Sequence, residues 1–438
     1  MKKMKKKRMS LIRVVTSLAL AAILCLGLSM PAFATEDPPN ISEGSESADA
    51  TAVITKQLTM AEGTKTPRAT YTFDITGIVQ DGSITDPEVN SVLLASDPPS
   101  VGPKAIDYFV NDPGDLDENT GMITVTKTID IFSSVDWKHA GVYGYVVGER
   151  PSGGGEGVTY SQAQYNVYVY VANKSDGSGL YVSAISAWQV KDESGAIIDN
   201  PSKVNPGPVV SGGPSSLVFV NKLIETIDGT DPTDPNDQAL NISKTVTGEH
   251  GDKTKYFTFD LELTKAPSLT ADPTYQAYVV EGNTALTNLS DNYKGDPGSL
   301  SSDTHGAFIK VTTGIPITFM LKHGQSLVFT KMDVGTEYEA VETGEPNYTP
   351  SVVITEGGIQ YNLDALAGYS LSTTGTDEVL RIVEAVGDGA AFTNQYATVS
   401  PTGIIVDNLA YIVLLVTLLL GFGAFMVVKS RKRARSEQ

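Results

Sequence analysis

The sequence predicts an all-β chain, two β-sandwiches in tandem followed by a C-terminal transmembrane helix. Three observations carry this. Short period-2 runs rich in Val, Thr, Tyr and Phe recur between Gly, Pro, Asp and Asn turns, the pattern of antiparallel sandwiches. Long amphipathic helical patterns are absent between the two ends of the chain. An apolar segment near each end frames about 370 residues, too many for one small core and enough for two domains.

The N-terminal segment is read as a signal peptide over 1–34. Lys2, Lys3, Lys5, Lys6, Lys7 and Arg8 form a basic head, Val14 to Met30 an apolar middle, and Ala32-Phe33-Ala34 a small-residue cleavage site. These are the three parts of a secretory leader. A retained membrane anchor is the alternative. A lipoprotein reading of Cys25 is weaker, because bulky Leu24 precedes it. Near the other end, Leu409 to Val428 is a run of 20 uncharged residues, enough to span roughly 30 Å as a helix. Lys429, Arg431, Lys432, Arg433 and Arg435 follow at once and would hold the tail in the cytoplasm.

Charge and cysteine usage narrow the function classes. Residues 35–402 hold 49 acidic and 20 basic side chains, a net of −29. So acidic a surface argues against nucleic acid or anionic lipid as partner and for a self-repelling ectodomain. The single cysteine, Cys25, lies in the predicted leader. The exported chain then has no disulfide, the usual staple of secreted domains, and no thiolate metal site.

Residues 35–50, acidic with Pro and Ser and without periodicity, read as a flexible leader. Glu225 to Ala239, dense in Asp, Pro and Thr, reads as an interdomain linker. The first domain is therefore 51–224 and the second 240–398. Period-2 runs in the first are 52–60, 69–75, 122–131, 141–149, 164–171 and 217–221. In the second they are 240–246, 256–263, 316–321, 326–330, 337–342 and 391–396.

Some residues break the apolar face of their strand. Ile54, Lys56 and Leu58 share a side, as do Ile242, Lys244 and Val246. In the last run of each domain, Phe219, Asn221 and Leu223, then Phe392, Asn394 and Tyr396, share a face. Tyr143-x-Tyr145-x-Val147-x-Glu149 and Tyr338-x-Ala340-x-Glu342 each end an apolar stripe in a carboxyl. Each half thus sets a Lys, a Glu and an Asn, in that order, on its core side. Burying any one of them unpaired would cost several kcal/mol, and three together in an apolar setting suggest a reaction. The plainer alternative is that Lys56 and Lys244 are strand-edge lysines with solvated heads. Glu149 and Glu342 would then end solvated strands, and the asparagines would cap turns.

The stretches Gly141 to Glu149 (GVYGYVVGE) and Gly157-Val158-Thr159-Tyr160, followed by the alternating Tyr165 to Val171, resemble the isopeptide-linkage domain of streptococcal backbone pilins. The second half, with Ile242 to Gly248 (ISKTVTG), Gly335 to Glu342 (GTEYEAVE) and Phe392 to Tyr396 (FTNQY), is similar to CnaB-type repeats of the same surface proteins. Together the resemblances span nearly the whole ectodomain and imply two immunoglobulin-like (CnaB-type) sandwiches. They also imply a spontaneous amide bond between Lys56 and Asn221 assisted by Glu149, and another between Lys244 and Asn394 assisted by Glu342. No cofactor is needed for either.

Val399-Ser400-Pro401-Thr402-Gly403, ahead of the apolar run and basic tail, resembles a sortase sorting signal over 399–438, in which Pro401, Thr402 and Gly403 are the motif and the cut follows Thr402. It departs from the common Leu-Pro-x-Thr-Gly form, with Ser400 where a known variant has Val, and the sortase class stays open. An ordinary membrane anchor is the alternative. The resemblance implies as partners a sortase, peptidoglycan and other pilin subunits, with the protein at the cell surface. In the resembling pilins a lysine late in the first domain accepts the next subunit. Lys203 is the candidate, with Lys191 second, although no motif marks either. A different class of reading is a monomeric wall-anchored adhesin that binds a host surface ligand through sandwich loops.

Other constellations are thin. His139, His250, His305 and His323 are scattered without ligand spacing. Asp115-x-Asp117-x-Asn119 begins like a calcium loop, but Thr120 stands where Gly is needed and Thr126 where Glu is needed. No metal and no enzyme acting on an external substrate is expected.

Overall fold

A computed structural model of the chain describes residues 40–79, 94–208, 215–375, 380–383 and 387–397, and most of a helical stretch within 411–426. In chain order the first half contains β1 (Ile41–Glu43), β2 (Val53–Ala61), β3 (Ala69–Ile78), β4 (Lys104–Tyr108), β5 (Asp115–Asp117), β6 (Met122–Asp130), β7 (Gly141–Glu149), β8 (Val158–Thr159), β9 (Gln164–Asn173), β10 (Leu180–Lys191), β11 (Lys203–Val204) and β12 (Leu217–Leu223). One sheet runs β1-β10-β9-β7-β3-β4, with β11 also on β10. The other runs β5-β6-β2-β12-β8. Alternation drives the pairing. Tyr71, Phe73, Tyr143, Tyr145, Val167 and Val169 from one sheet meet Ile54, Leu58, Leu217 and Phe219 from the other in a single buried cluster.

After β13 (Thr226–Asp228), the second half contains β14 (Leu240–Thr247), β15 (Phe257–Thr264), β16 (Thr274–Glu281), β17 (Thr284–Ala285), β18 (Leu300–Ser302), β19 (Ala307–Thr312), β20 (Ile317–Leu321), β21 (Gln325–Phe329), β22 (Lys331–Asp333), β23 (Glu337–Glu342), β24 (Tyr348–Glu356), β25 (Ile359–Asp364), β26 (Leu371–Ser372) and β27 (Gly389–Tyr396). The larger sheet runs β18-β19-β16-β21-β14-β27-β24-β25, with β17 on β16, and the smaller runs β20-β15-β23-β26. A second, separate core lies between them, from Ala239 to Phe392.

In both halves the first and last long strands are parallel neighbours, β2 beside β12 and β14 beside β27.

Two stretches depart from the sequence reading. The leader assigned to 35–50 holds a strand, because β1 pairs with β10. Acidic side chains hold this segment to the sheet. Asp49 accepts the N–H of Val182, and Glu46 accepts the N–H and hydroxyl of Ser175. The linker assigned to 225–239 is also ordered. β13 pairs with β22, Asp237 accepts the N–H groups of Thr230 and Asp231, and Asp234 caps a short 3-10 turn over Pro235–Asp237. The Asp-rich string of 225–239, without apolar period, folds through side-chain-to-backbone turns. The joint is close-packed as well. Gly335 has φ +89°, and a Cβ there would lie 2.5 Å from the Ala61 Cβ across the domain boundary. Arg381 of the second domain pairs with Glu62 of the first.

Candidate functional site: two buried lysine, glutamate and asparagine triads

Each triad is assembled by strand register. On β2, Ile54, Lys56 and Leu58 all point inward and are fully buried, and on β14 so are Ile242, Lys244 and Val246. In the parallel ladder of the first half Lys56 lies opposite Phe219, which places Asn221 opposite Leu58. In the second, Lys244 lies opposite Phe392 and Asn394 opposite Val246. The register is the same, so each asparagine sits diagonally from its lysine on the inner face. The glutamate comes from the facing sheet in both. Glu149 ends β7 opposite Phe73, and Glu342 ends β23 opposite Phe259.

The side chains converge. Lys56 Nζ donates to Glu149 Oε2 at 2.8 Å, and Asn221 Nδ2 donates to Glu149 Oε1 at 2.6 Å. Lys244 Nζ and Asn394 Nδ2 both donate to Glu342 Oε1 at 2.6 Å. The lysine and glutamate side chains are 0–1% exposed. Aromatic rings wall them in, with Lys56 Nζ 4.9 Å from the Tyr71 ring and Lys244 Nζ 4.4 Å from that of Phe257. Burial is the dominant electrostatic influence. It brings both lysine ammonium groups down to about 8 against the opposing pull of their carboxylates. It also pushes Glu149 and Glu342 above the usual carboxylate range, although the adjacent lysines act the other way. Burial therefore shifts each pair toward a neutral amine and a protonated acid beside a carboxamide.

The sites differ at the carboxamide oxygen. Asn221 Oδ1 accepts the backbone N–H of Ser161 at 2.7 Å. Asn394 Oδ1 and Glu342 Oε2 are buried without a hydrogen-bond partner among the described residues. Sequence reasoning missed Ser161, and no signal could have found it, because a backbone donor leaves no side-chain signature.

Residues 52–197 match the Spy0128-like isopeptide containing domain. Residues 238–396 match a family described as a domain of unknown function, DUF7601. A pilin of Streptococcus pyogenes serotype M1 is 25% identical over 298 residues, covering 66% of this chain and 68% of that protein. The chain is homologous to streptococcal pilins. The chain is also 34% identical over 135 residues to the pilus tip adhesin Cpa of Streptococcus pyogenes, a match over 30% of the chain that spans 16% of the adhesin's length. A crystal structure of the major pilin from Streptococcus pyogenes aligns over 80% of this chain and 99% of its own, at 20% identity and a TM-score of 0.30.

The remaining sequence candidates fall elsewhere. Lys203, in β11, is half-buried with Nζ 5.1 Å from the Trp188 ring. Lys191 ends β10 and lines a groove of about 490 Å³ with Glu149, Tyr160, Ser161 and Gly195. Residues 1–34 and the motif Pro401, Thr402 and Gly403 lie outside the described residues. The helical residues within 411–426 fall inside the run 409–428, but no helix among the described residues is long and apolar enough to cross a membrane. Asp117 accepts the N–H of Asn119 in the turn ahead of β6. No cluster of metal ligands occurs among the described residues.

Proposed function

We propose that the chain is a structural pilin subunit in which each domain is closed by an intramolecular isopeptide bond, Lys56 to Asn221 and Lys244 to Asn394. The observation that carries this reading is the repeated triad, with the same three residue types in the same parallel register and the lysine and asparagine both hydrogen-bonded to the glutamate. The neutral lysine amine attacks the asparagine Cγ. The protonated glutamate hydrogen-bonds the carboxamide and relays a lysine proton to Nδ2, and ammonia leaves. Folding supplies the effective molarity, since neighbouring strands hold the reactants together. The second domain is then CnaB-type in function as well as in resemblance.

The rest of the reading is assembly. A signal peptide exports the chain, and sortase cuts after Thr402 and joins the new carboxyl to peptidoglycan or to a lysine of the next subunit. The order Pro401-Thr402-Gly403, uncharged run 409–428 and basic tail supports this. Lys203 remains the acceptor candidate, and Lys191, in its groove, is its rival. The match to a pilus tip adhesin favours a second reading, in which the subunit is an anchored adhesin outside the shaft.

Intact mass tests the central claim. The secreted protein weighs two ammonia molecules less than its sequence predicts, and a full sequence mass removes the reaction from the account. Cell-wall extracts then separate the two assembly readings. A shaft subunit gives a detergent-resistant ladder and an adhesin a single band. Thr402→Ala leaves either one in the membrane fraction.

A further inference from the structure

The two triads are alike in reactants and register, yet among the described residues only one carboxamide oxygen has a backbone donor. We propose that the Ser161 N–H acts as an oxyanion donor for crosslinking in the first domain, a group with no counterpart at the second triad among the described residues. The inference rests on the isopeptide reading above.

The geometry has a local cause. β12 is flanked by β2 on one side and on the other by the two-residue β8, which pairs Thr159 with Lys222 and Val158 with Leu223. Gly157 makes the approach close. It has φ +74°, and a Cβ there would lie 2.1 Å from the Ile224 carbonyl. The chain leaves the ladder at Tyr160, and the next residue, Ser161, turns its N–H onto Asn221 Oδ1. Ser161 is 3% exposed, and its hydroxyl is occupied by the Ala163 N–H at 3.2 Å. The backbone amide is therefore the group that meets the reacting carbonyl. In the second domain the nine-residue β24 occupies the corresponding flank of β27 and places Pro350 opposite Asn394.

The chemistry uses that placement directly. As the Lys56 Nζ lone pair bonds to Asn221 Cγ, the carbonyl π pair moves onto Oδ1, which gains negative charge facing the Ser161 N–H. One Nζ proton passes through Glu149 to Nδ2. The Cγ–Nδ2 bond breaks with its electron pair on nitrogen, ammonia departs, and the Oδ1 pair restores the carbonyl. A fixed donor at the oxygen that gains charge stabilises the transition state more than the ground state. Removing one such donor slows acyl transfer by about 10² to 10³.

The test follows both crosslinked peptides by mass spectrometry in full-length chain made by in vitro translation, acid-quenched at intervals and digested. Ser161→Pro, which lacks the N–H, slows Lys56–Asn221 formation by about 100-fold and leaves Lys244–Asn394 unchanged in the same molecules. Ser161→Ala keeps the N–H and reacts like wild type. Formation at the wild-type rate in Ser161→Pro, or equal slowing in Ser161→Ala, overturns the assignment. If Ser161→Pro leaves the first domain protease-sensitive, the wild-type chain decides. Timed from the point at which each domain becomes protease-resistant, Lys56–Asn221 closes faster than Lys244–Asn394, and an equal or reversed order overturns the proposal. Absence of both crosslinks from wild type is a distinct result, which removes the isopeptide reading itself.

Discussion

The two domains solve one problem with different surroundings. Both bury a lysine, a glutamate and an asparagine in identical parallel register, and both draw the carboxyl from the facing sheet. They diverge one shell out. Lys56 has a second acceptor in the Phe219 carbonyl at 3.2 Å, and Asn221 has the Ser161 donor. Among the described residues Lys244 Nζ meets only Glu342 as a polar partner, and Asn394 Oδ1 has none. What the halves share is what strand alternation and register impose. What differs depends on the neighbour of the last strand, a clipped β8 in one half and a full-length β24 in the other.

The sharpest way to break the comparison is to remove one acid at a time. Glu149→Ala abolishes the Lys56–Asn221 bond and restores one ammonia to the intact mass, while the Lys244–Asn394 bond persists. Glu342→Ala does the converse. Loss of both bonds from either change would mean that the domains do not react independently. Next in size is stability. Lys56→Met removes the crosslink and the buried charge together, and a linkage around 100 residues is worth roughly 4.7 kcal/mol by chain entropy. Both loops here are longer, so thermal unfolding of the variant falls by many degrees, with the second domain melting as before.

pH sharpens the contrast between closed and open forms. Burial lowers the lysines to about 8, so each unit below that cuts the neutral amine about tenfold. Crosslinking of newly folded chain is thus slower at pH 6 than at pH 8. In an uncrosslinked Asn221→Ala chain, the unfolded state binds more protons than the folded state between about 8 and the ordinary lysine value. Stability there rises with pH across that window, with the penalty fully present below it. The crosslinked domain, whose lysine has become an amide, shows no such slope in urea titrations. The smallest effect is at the joint. Arg381→Ala removes a partly exposed ion pair to Glu62, costs under about 1 kcal/mol, and shows in calorimetry as a slight separation of the two melting transitions.

Much of this was legible in sequence. An inward-facing Lys56 between Ile54 and Leu58, and an inward Asn221 between Phe219 and Leu223, follow from period 2 alone, and the structure buries all of them. Two of the strands that escaped notice do not show that alternation clearly. β10 is buried on adjacent positions from Ile185 to Trp188 because its outer face carries a small cluster with Tyr168, and β25 is mostly exposed at the sheet edge. The acidic stretches around Asp49 and Asp237 escaped because side-chain carboxylates bonded to backbone N–H groups hold them, at long range in the first and in local turns in the second. The convergence of Glu149 with Lys56 depends on how two sheets face one another, which no single strand encodes.

The parallel pairing of β2 with β12 and of β14 with β27 decides how the molecule answers tension. The chain enters each pair at one end and leaves at the other, so a pull on the termini slides the two strands along one another and loads every rung of the ladder at once. With the isopeptide in place the load crosses from Lys56 to Asn221 through covalent bonds and never enters the roughly 160 residues between them. Those residues can loosen or refold while the end-to-end length of the domain stays fixed.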